Sequence, residues 1–242
     1  MIFVRSLLFN VAFISATACI SVIGTLLIVA PRGAMRRIQT LWGQVSLTLL
    51  RWIVGTNHEI LGKENLPGQP AVFICKHQSA WDTLIFFLFG PNNIYVVKEE
   101  LVKIPVFGWC VSRAGSISVD RNAGMSALRK LVADTQARVD EGLNVVVFPE
   151  GTRSQVGSAG TYQPGIAAIY KSVDAPIIPV ALNSGVFWSR RSFLKYPGTI
   201  LMEILPEIPK GLDRRAFMKE IESRIESHTR ALEDASAHST AH

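Results

Sequence analysis

The chain has 242 residues, enough for one domain with a full apolar core and an accessory segment. Apolar residues make up 48% and charged residues 18%, a balance that excludes a disordered chain and leans toward contact with lipid. The formal charge of +6 favours an anionic partner, whether nucleic acid, membrane head groups or a phosphorylated substrate.

Residues 7–30 carry no charge, and a helix of that length, rising ~1.5 Å per residue, covers the ~30 Å core of a bilayer. Asn10, Ser15, Thr17, Ser21 and Thr25 interrupt the stretch, so a helix embedded in one leaflet fits as well as a spanning one. A cleaved signal peptide fits less well, because the apolar run continues past Ala16-Thr17-Ala18. Residues 31–37, with Arg32, Arg36 and Arg37, read as a turn-forming junction against anionic head groups on the cytoplasmic side. That orientation puts the rest of the chain in the cytoplasm, on the inner membrane. Ile38, Leu41, Trp42, Val45, Leu49 and Trp52 recur at helical spacing opposite Gln39, Gln44, Ser46 and Thr48. They describe an amphipathic helix, either interfacial or packed on the domain core.

Beyond Gly55, short apolar runs alternate with longer periodic segments, the pattern of an α/β layer structure. Strands are expected near 57–61, 71–76, 93–98, 115–119, 143–148, 176–182 and 199–205. The expected fold is a mixed, largely parallel sheet of about seven strands flanked by helices, after an N-terminal membrane-associated two-helix segment. An apolar helix is expected over 83–89. Met125, Leu128, Val132, Thr135 and Val139 form the inner face of another, and Phe217, Ile221 and Ile225 that of the last. The expected boundaries are 1–55 for the membrane-associated helices, 56–234 for the main α/β domain and 235–242 for a frayed polar tail. Cys19, Cys75 and Cys110 are far apart and lack a CxxC pair, which reads as buried thiols rather than a disulfide framework or a metal site.

His77 stands where the 71–76 strand gives way to a helix, and Asp82 lies five residues on. On its own, Asp82 is accounted for as the first-turn carboxylate of a helix capped by Ser79. A turn can also bring it to the imidazole, which exchanges protons near neutral pH and is oriented by a carboxylate on its other nitrogen, giving a general base for a hydroxyl or thiol. The strand at 143–148 runs through Pro149 into Glu150-Gly151-Thr152-Arg153-Ser154. Backbone N–H groups around Gly151 can form an anion nest, and Arg153 can grip phosphate in a bidentate manner. Lys98 and Arg121 follow two other strands, and parallel strands bring such ends to one crevice with His77. Ser79 and the residues after it offer backbone N–H groups to an oxyanion. No GxSxG elbow or P-loop is present, and the dispersed basic residues match no nucleic-acid-binding motif. The segment 187–196 interleaves aromatic and basic residues, as either a contact for head groups or donor phosphates or an ordinary surface loop.

Four blocks in this order resemble those of the glycerolipid acyltransferase family, in particular its lysophosphatidic acid acyltransferases. They are His77 to Asp82 as HxxxxD, Gly115 with Val119-Asp120-Arg121, Phe148 to Ser154 as FPEGTRS, and Ile178-Pro179-Val180. Lys98-Glu99-Glu100-Leu101 and Ile104 to Trp109 also resemble bacterial members. The resemblance implies that His77 is the base and Asp82 its partner, and that Lys98, Arg121, Glu150, Gly151, Thr152 and Arg153 hold the glycerophosphate. It further implies transfer of a fatty acyl group to the sn-2 hydroxyl of 1-acyl-sn-glycerol-3-phosphate. The co-substrate it implies is acyl-CoA or acyl-ACP, the acylated form of acyl carrier protein, with no bound cofactor or metal. Lys76 stands where many members have Asn, and Ser118 where many have Phe. The alternatives are a family member acting on another lysolipid, such as a lyso-ornithine lipid, and a non-catalytic membrane lipid-binding protein.

Overall fold

The computed structural model describes residues 1–120 and 123–239, with side chains through Ser236. Seven strands, β1 (Thr56–Leu61), β2 (Val72–Cys75), β3 (Asn93–Lys98), β4 (Ile117–Val119), β5 (Asn144–Val147), β6 (Ile177–Leu182) and β7 (Gly198–Ile204), fall within two residues of their expected positions. They form one mixed sheet in the order β1-β7-β6-β2-β5-β3-β4, parallel except where β6 meets β7. The carboxyl ends of β2, β3, β4 and β5 therefore share one edge, with Ile74 beside Val147 and Lys98 beside Val119.

Alternation along β2 sorts the core into two layers. Phe73 and Cys75 face one cluster of buried side chains, while Val72 and Ile74 face the other. The first is covered by α1 (Ile2–Leu26), α2 (Arg32–Leu49) and α3 (Trp81–Ile85), through Phe9, Leu47 and Leu84. The second is covered by α6 (Gly124–Asp140), α7 (Gly165–Ser172) and α9 (Arg214–Ser239). Leu131, Ile166, Ile169, Phe217, Ile221 and Ile225 supply the contacts. Shorter helices α4 (Glu99–Val102), α5 (Phe107–Ala114) and α8 (Ser184–Phe187) follow β3, the α4 turn and β6.

Several expectations need correction. The arginine-rich junction is the first two turns of α2, which starts at Arg32 after an extended Pro31, because proline suits a helix start and needs no N–H partner there. Arg32 turns to Glu141 and Arg36 to the carbonyl of Ala114. The 83–89 helix divides into α3 and a tighter 3₁₀ turn at Phe86–Phe89, where Asn93 Nδ2 donates to the carbonyls of Phe86 and Gly90. Met125 is 66% exposed and Leu131 joins the core instead, while Thr135 is buried and Val132 and Val139 pack against the core as expected. Cys19 is exposed, unlike Cys75 and Cys110. The final helix continues through the expected frayed tail as far as Ser239, with Ser236 buried and its hydroxyl accepting from Asn183.

Trp42 and Trp52 divide the two readings of α2 and the π-helical turn after it, Leu50–Val54. Trp42 packs inward, edge-on to Phe87, and donates to Thr17 Oγ1 at 2.9 Å, while Trp52 is 79% exposed. The approach of α2 to Phe87 requires Gly43, since a Cβ there would lie 2.6–2.9 Å from that side chain. Helix α1 is apolar and long enough to cross a membrane by length and composition. Ser6, Asn10 and Thr17, however, face protein, while Ser15 is exposed. Asn10 Nδ2 donates to the carbonyl of Phe193, and the backbone N–H of Lys195 donates to Ser6 Oγ. Just past its other end, Arg113 donates to the carbonyls of Ile28 and Ala30.

Candidate active site

β2 ends in a polar run, Lys76 to Ser79, that is buried apart from His77. Asp82, on the first turn of α3, faces back into this run. Its Oδ2 accepts from His77 Nδ1 at 2.9 Å, from the Gln78 N–H at 2.6 Å and from the Ser79 N–H at 2.8 Å. Its Oδ1 accepts from the Ser184 hydroxyl. Ser79 Oγ in turn accepts from the Trp81 N–H. One carboxylate thus closes the start of the helix and orients the imidazole, so the two readings of Asp82 are compatible. With a carboxylate as acceptor, Nδ1 carries the proton and Nε2 keeps a lone pair for a substrate hydroxyl. Phe148 stacks on the His77 ring at 3.9 Å and holds its plane. The Ser79 N–H is committed to Asp82, so the oxyanion role expected of it is not open to that group.

His77 lines a cavity of about 780 Å³ at the carboxyl edge of the sheet, and Lys98, Gly151, Thr152 and Arg153 line it too. Arg121 lies outside the described residues. Arg190 and Arg191 join the wall, and among the described residues no Asp or Glu does. The lining also takes apolar side chains from α1, α2 and α6, among them Phe13, Ile20, Ile38, Leu128 and Leu131. Burial lowers the Arg153 pKa, Asp82 opposes this, and the neighbouring Arg190 lowers it further. The Gly151 N–H donates to the carbonyl of Phe148, which closes a turn and removes it from the expected nest.

Glu150 is 4% exposed and lies behind His77 rather than on the cavity wall. Its Oε1 is 3.1 Å from Lys76 Nζ and accepts from the His77 N–H at 3.5 Å. Burial raises its pKa to about 7 against the pull of Lys76. Sequence reasoning missed Ser184, Gln78 and the stacking of Phe148. Gln78, inside the HxxxxD block, and Phe148, inside the FPEGTRS block, carried a local signal, and Ser184 carried none. Among the described residues, no three His, Cys, Asp or Glu side chains are grouped to hold a metal.

A family model described as Acyltransferase matches residues 57–183. The chain is 32% identical over 229 residues to a 1-acyl-sn-glycerol-3-phosphate acyltransferase of Pseudomonas aeruginosa, covering 93% of this chain and 88% of that one. It is 29% identical over 170 residues to a 1-acyl-sn-glycerol-3-phosphate acyltransferase of Cocos nucifera, covering 69% and 55%. The crystal structure of the 1-acyl-sn-glycerophosphate (LPA) acyltransferase PlsC from Thermotoga maritima superposes with a TM-score of 0.75 at 22% identity. It covers 96% of this chain and 99% of that one, so the two share a fold.

Proposed function

The chain belongs to the Acyltransferase family, and we propose that it transfers a fatty acyl group from a thioester to the sn-2 hydroxyl of 1-acyl-sn-glycerol-3-phosphate, giving phosphatidic acid. One observation carries this reading. A histidine with Nδ1 bound to Asp82 lines a cavity whose lining combines the cations Lys98 and Arg153 with many apolar side chains and, among the described residues, no acid. In the proposed reaction, His77 Nε2 takes the proton of the acceptor hydroxyl as its oxygen attacks the thioester carbonyl. The tetrahedral intermediate collapses, the C–S bond breaks, and the imidazolium returns the proton to the thiolate. Asp82 stabilises the imidazolium between these steps. Lys98 and Arg153, with Arg121, bind the acceptor phosphate through charge-assisted hydrogen bonds. Gly151 and Thr152 shape the turn that presents Arg153. Glu150 supports the site from behind.

The donor is acyl-CoA or an acylated acyl carrier protein, which present the same phosphopantetheine thioester. Arg190 and Arg191 line both the main cavity and an adjoining one of about 530 Å³, and this supports a role in holding the donor's phosphates. The contacts from α1 to Phe193 and Lys195 at one end, and from Arg113 at the other, favour a helix lying in the cytoplasmic leaflet over one standing away from the domain. The catalytic domain then faces the cytoplasm. The test is acyl transfer by the purified chain with lysophosphatidic acid and acyl-CoA, comparing wild type, His77→Ala and Asp82→Asn. Undiminished activity in both variants would sink the dyad.

A further inference from the structure

Lys76, immediately before the proposed base, takes no part in the chemistry above and is fully buried. A buried ammonium is costly unless it is paired and hydrogen-bonded. Its Nζ lies 2.7 Å from Glu226 Oε1 and 3.1 Å from Glu150 Oε1. It also donates to the carbonyls of Ser158 at 2.8 Å and Ala159 at 3.1 Å. Glu226 Oε1 accepts a further bond from Tyr162 at 3.0 Å.

Gln78, immediately after the base, is just as buried. Its Nε2 donates to Glu233 Oε1 at 2.6 Å, and its Oε1 accepts from the Gly185 N–H at 3.1 Å. The second oxygen of Glu233 accepts from the Gly157 N–H at 3.1 Å. Glu226 and Glu233 are seven residues apart on α9, about two turns, and so lie on one face of that helix. The residues on either side of His77 are thus each tied to a carboxylate of the C-terminal helix, roughly 150 residues away in sequence.

We propose that α9 positions the base: Glu226 acting through Lys76, and Glu233 acting through Gln78, fix the backbone on both sides of His77. The inference rests on the reading of His77 as that base. A buried ion pair adds little stability over an apolar pair of similar volume, so its value here lies in placement. Catalysis is sensitive to such placement, because a shift of about 1 Å in a reacting group costs on the order of 10²-fold in rate. Lys76, Gln78, Glu226 and Glu233 are therefore positioning residues that touch neither substrate.

The test uses the full chain in vesicles and three variants: Lys76→Met with Glu226→Gln, which neutralises the pair at similar volume, Glu233→Leu, and Glu233→Gln. Folded fraction, KM for each substrate, kcat per folded molecule and the low-field Nδ1 proton resonance of His77 are measured. The expected result is a kcat at least tenfold lower in the neutral pair and in Glu233→Leu, with both KM values within twofold and the resonance weakened or shifted. Glu233→Gln keeps an oxygen for Gln78 Nε2 and should recover kcat to within threefold. A kcat per folded molecule unchanged in either impaired variant, or a loss that only follows the folded fraction, overturns the proposal. The wild type and His77→Ala are run alongside. An inactive wild type or an active His77→Ala refutes the acyltransfer reading itself, which is a separate failure.

Discussion

Replacing Asp82 with Asn should slow the enzyme by roughly 30- to 150-fold, far less than the loss of the base. The carboxylate oxygen that meets His77 Nδ1 also accepts two backbone N–H groups, from Gln78 and Ser79. Those two donors hold an amide oxygen, rather than an amide N–H, toward the histidine, so the tautomer with a free Nε2 survives. The Ser184 hydroxyl can rotate to accept from the amide nitrogen where it formerly donated to Oδ1. Only the charge is lost. A hydrogen bond to a charged partner contributes about 1.5–3 kcal/mol, and a loss of about 2–3 kcal/mol from the transition state gives the stated range at 1.36 kcal/mol per tenfold. Release of thiol from acyl-CoA in the presence of lysophosphatidic acid, followed with a chromogenic disulfide, supplies kcat and both KM values. A rate within threefold of wild type would remove Asp82 from the mechanism. A loss as deep as that of His77→Ala would show that the backbone donors do not hold the tautomer.

Arg153→Ala should raise KM for the lysolipid, with kcat/KM falling roughly 10- to 150-fold for one lost charge-assisted contact. Arg190→Glu with Arg191→Glu should raise KM for acyl-CoA while leaving KM for the lysolipid within threefold; equal effects on both substrates would reject the donor role. Glu150 binds its proton more tightly when folded, with a pKa of about 7 against an ordinary 4.5. Its contribution is therefore fully present below pH 4.5 and lost as the pH rises through 7. Relative to Glu150→Gln, wild-type stability should fall by about 3 kcal/mol across that window, and chemical denaturation at both ends checks this. A cysteine at position 2, in an otherwise cysteine-free chain, should resist an impermeant thiol reagent added outside intact cells; ready labelling would favour a spanning α1.

The central strands were legible in the sequence because they are short apolar runs bounded by glycine, proline or charge, and β2 reads as Val72-Phe73-Ile74-Cys75 before Lys76, whereas the edge strand β1, Thr56-Asn57-His58-Glu59-Ile60-Leu61, is largely polar. The helices were less legible. Met125 fits the spacing of the inner face of α6 but lies at the exposed first turn, and the buried contact passes to Leu131. His77 and Asp82 were readable because the turn joining them is local. Lys76 with Glu226, Gln78 with Glu233 and Asp82 with Ser184 are contacts between distant segments. No spacing rule relates such residues, and only the packing of α8 and α9 against the end of β2 brings them together. Glu150 shows the same limit. Its motif suggested substrate binding, whereas the fold turns its carboxylate toward Lys76.

The most direct test of the central claim supplies purified protein with a panel of lysolipids and acyl thioesters and identifies the products by mass spectrometry. Wild type is expected to convert 1-acyl-sn-glycerol-3-phosphate into phosphatidic acid carrying the donor chain at sn-2, His77→Ala is not, and lysolipids lacking the phosphate monoester should react far more slowly. Folded wild-type protein that forms no phosphatidic acid, or His77→Ala that forms as much, would contradict the claim.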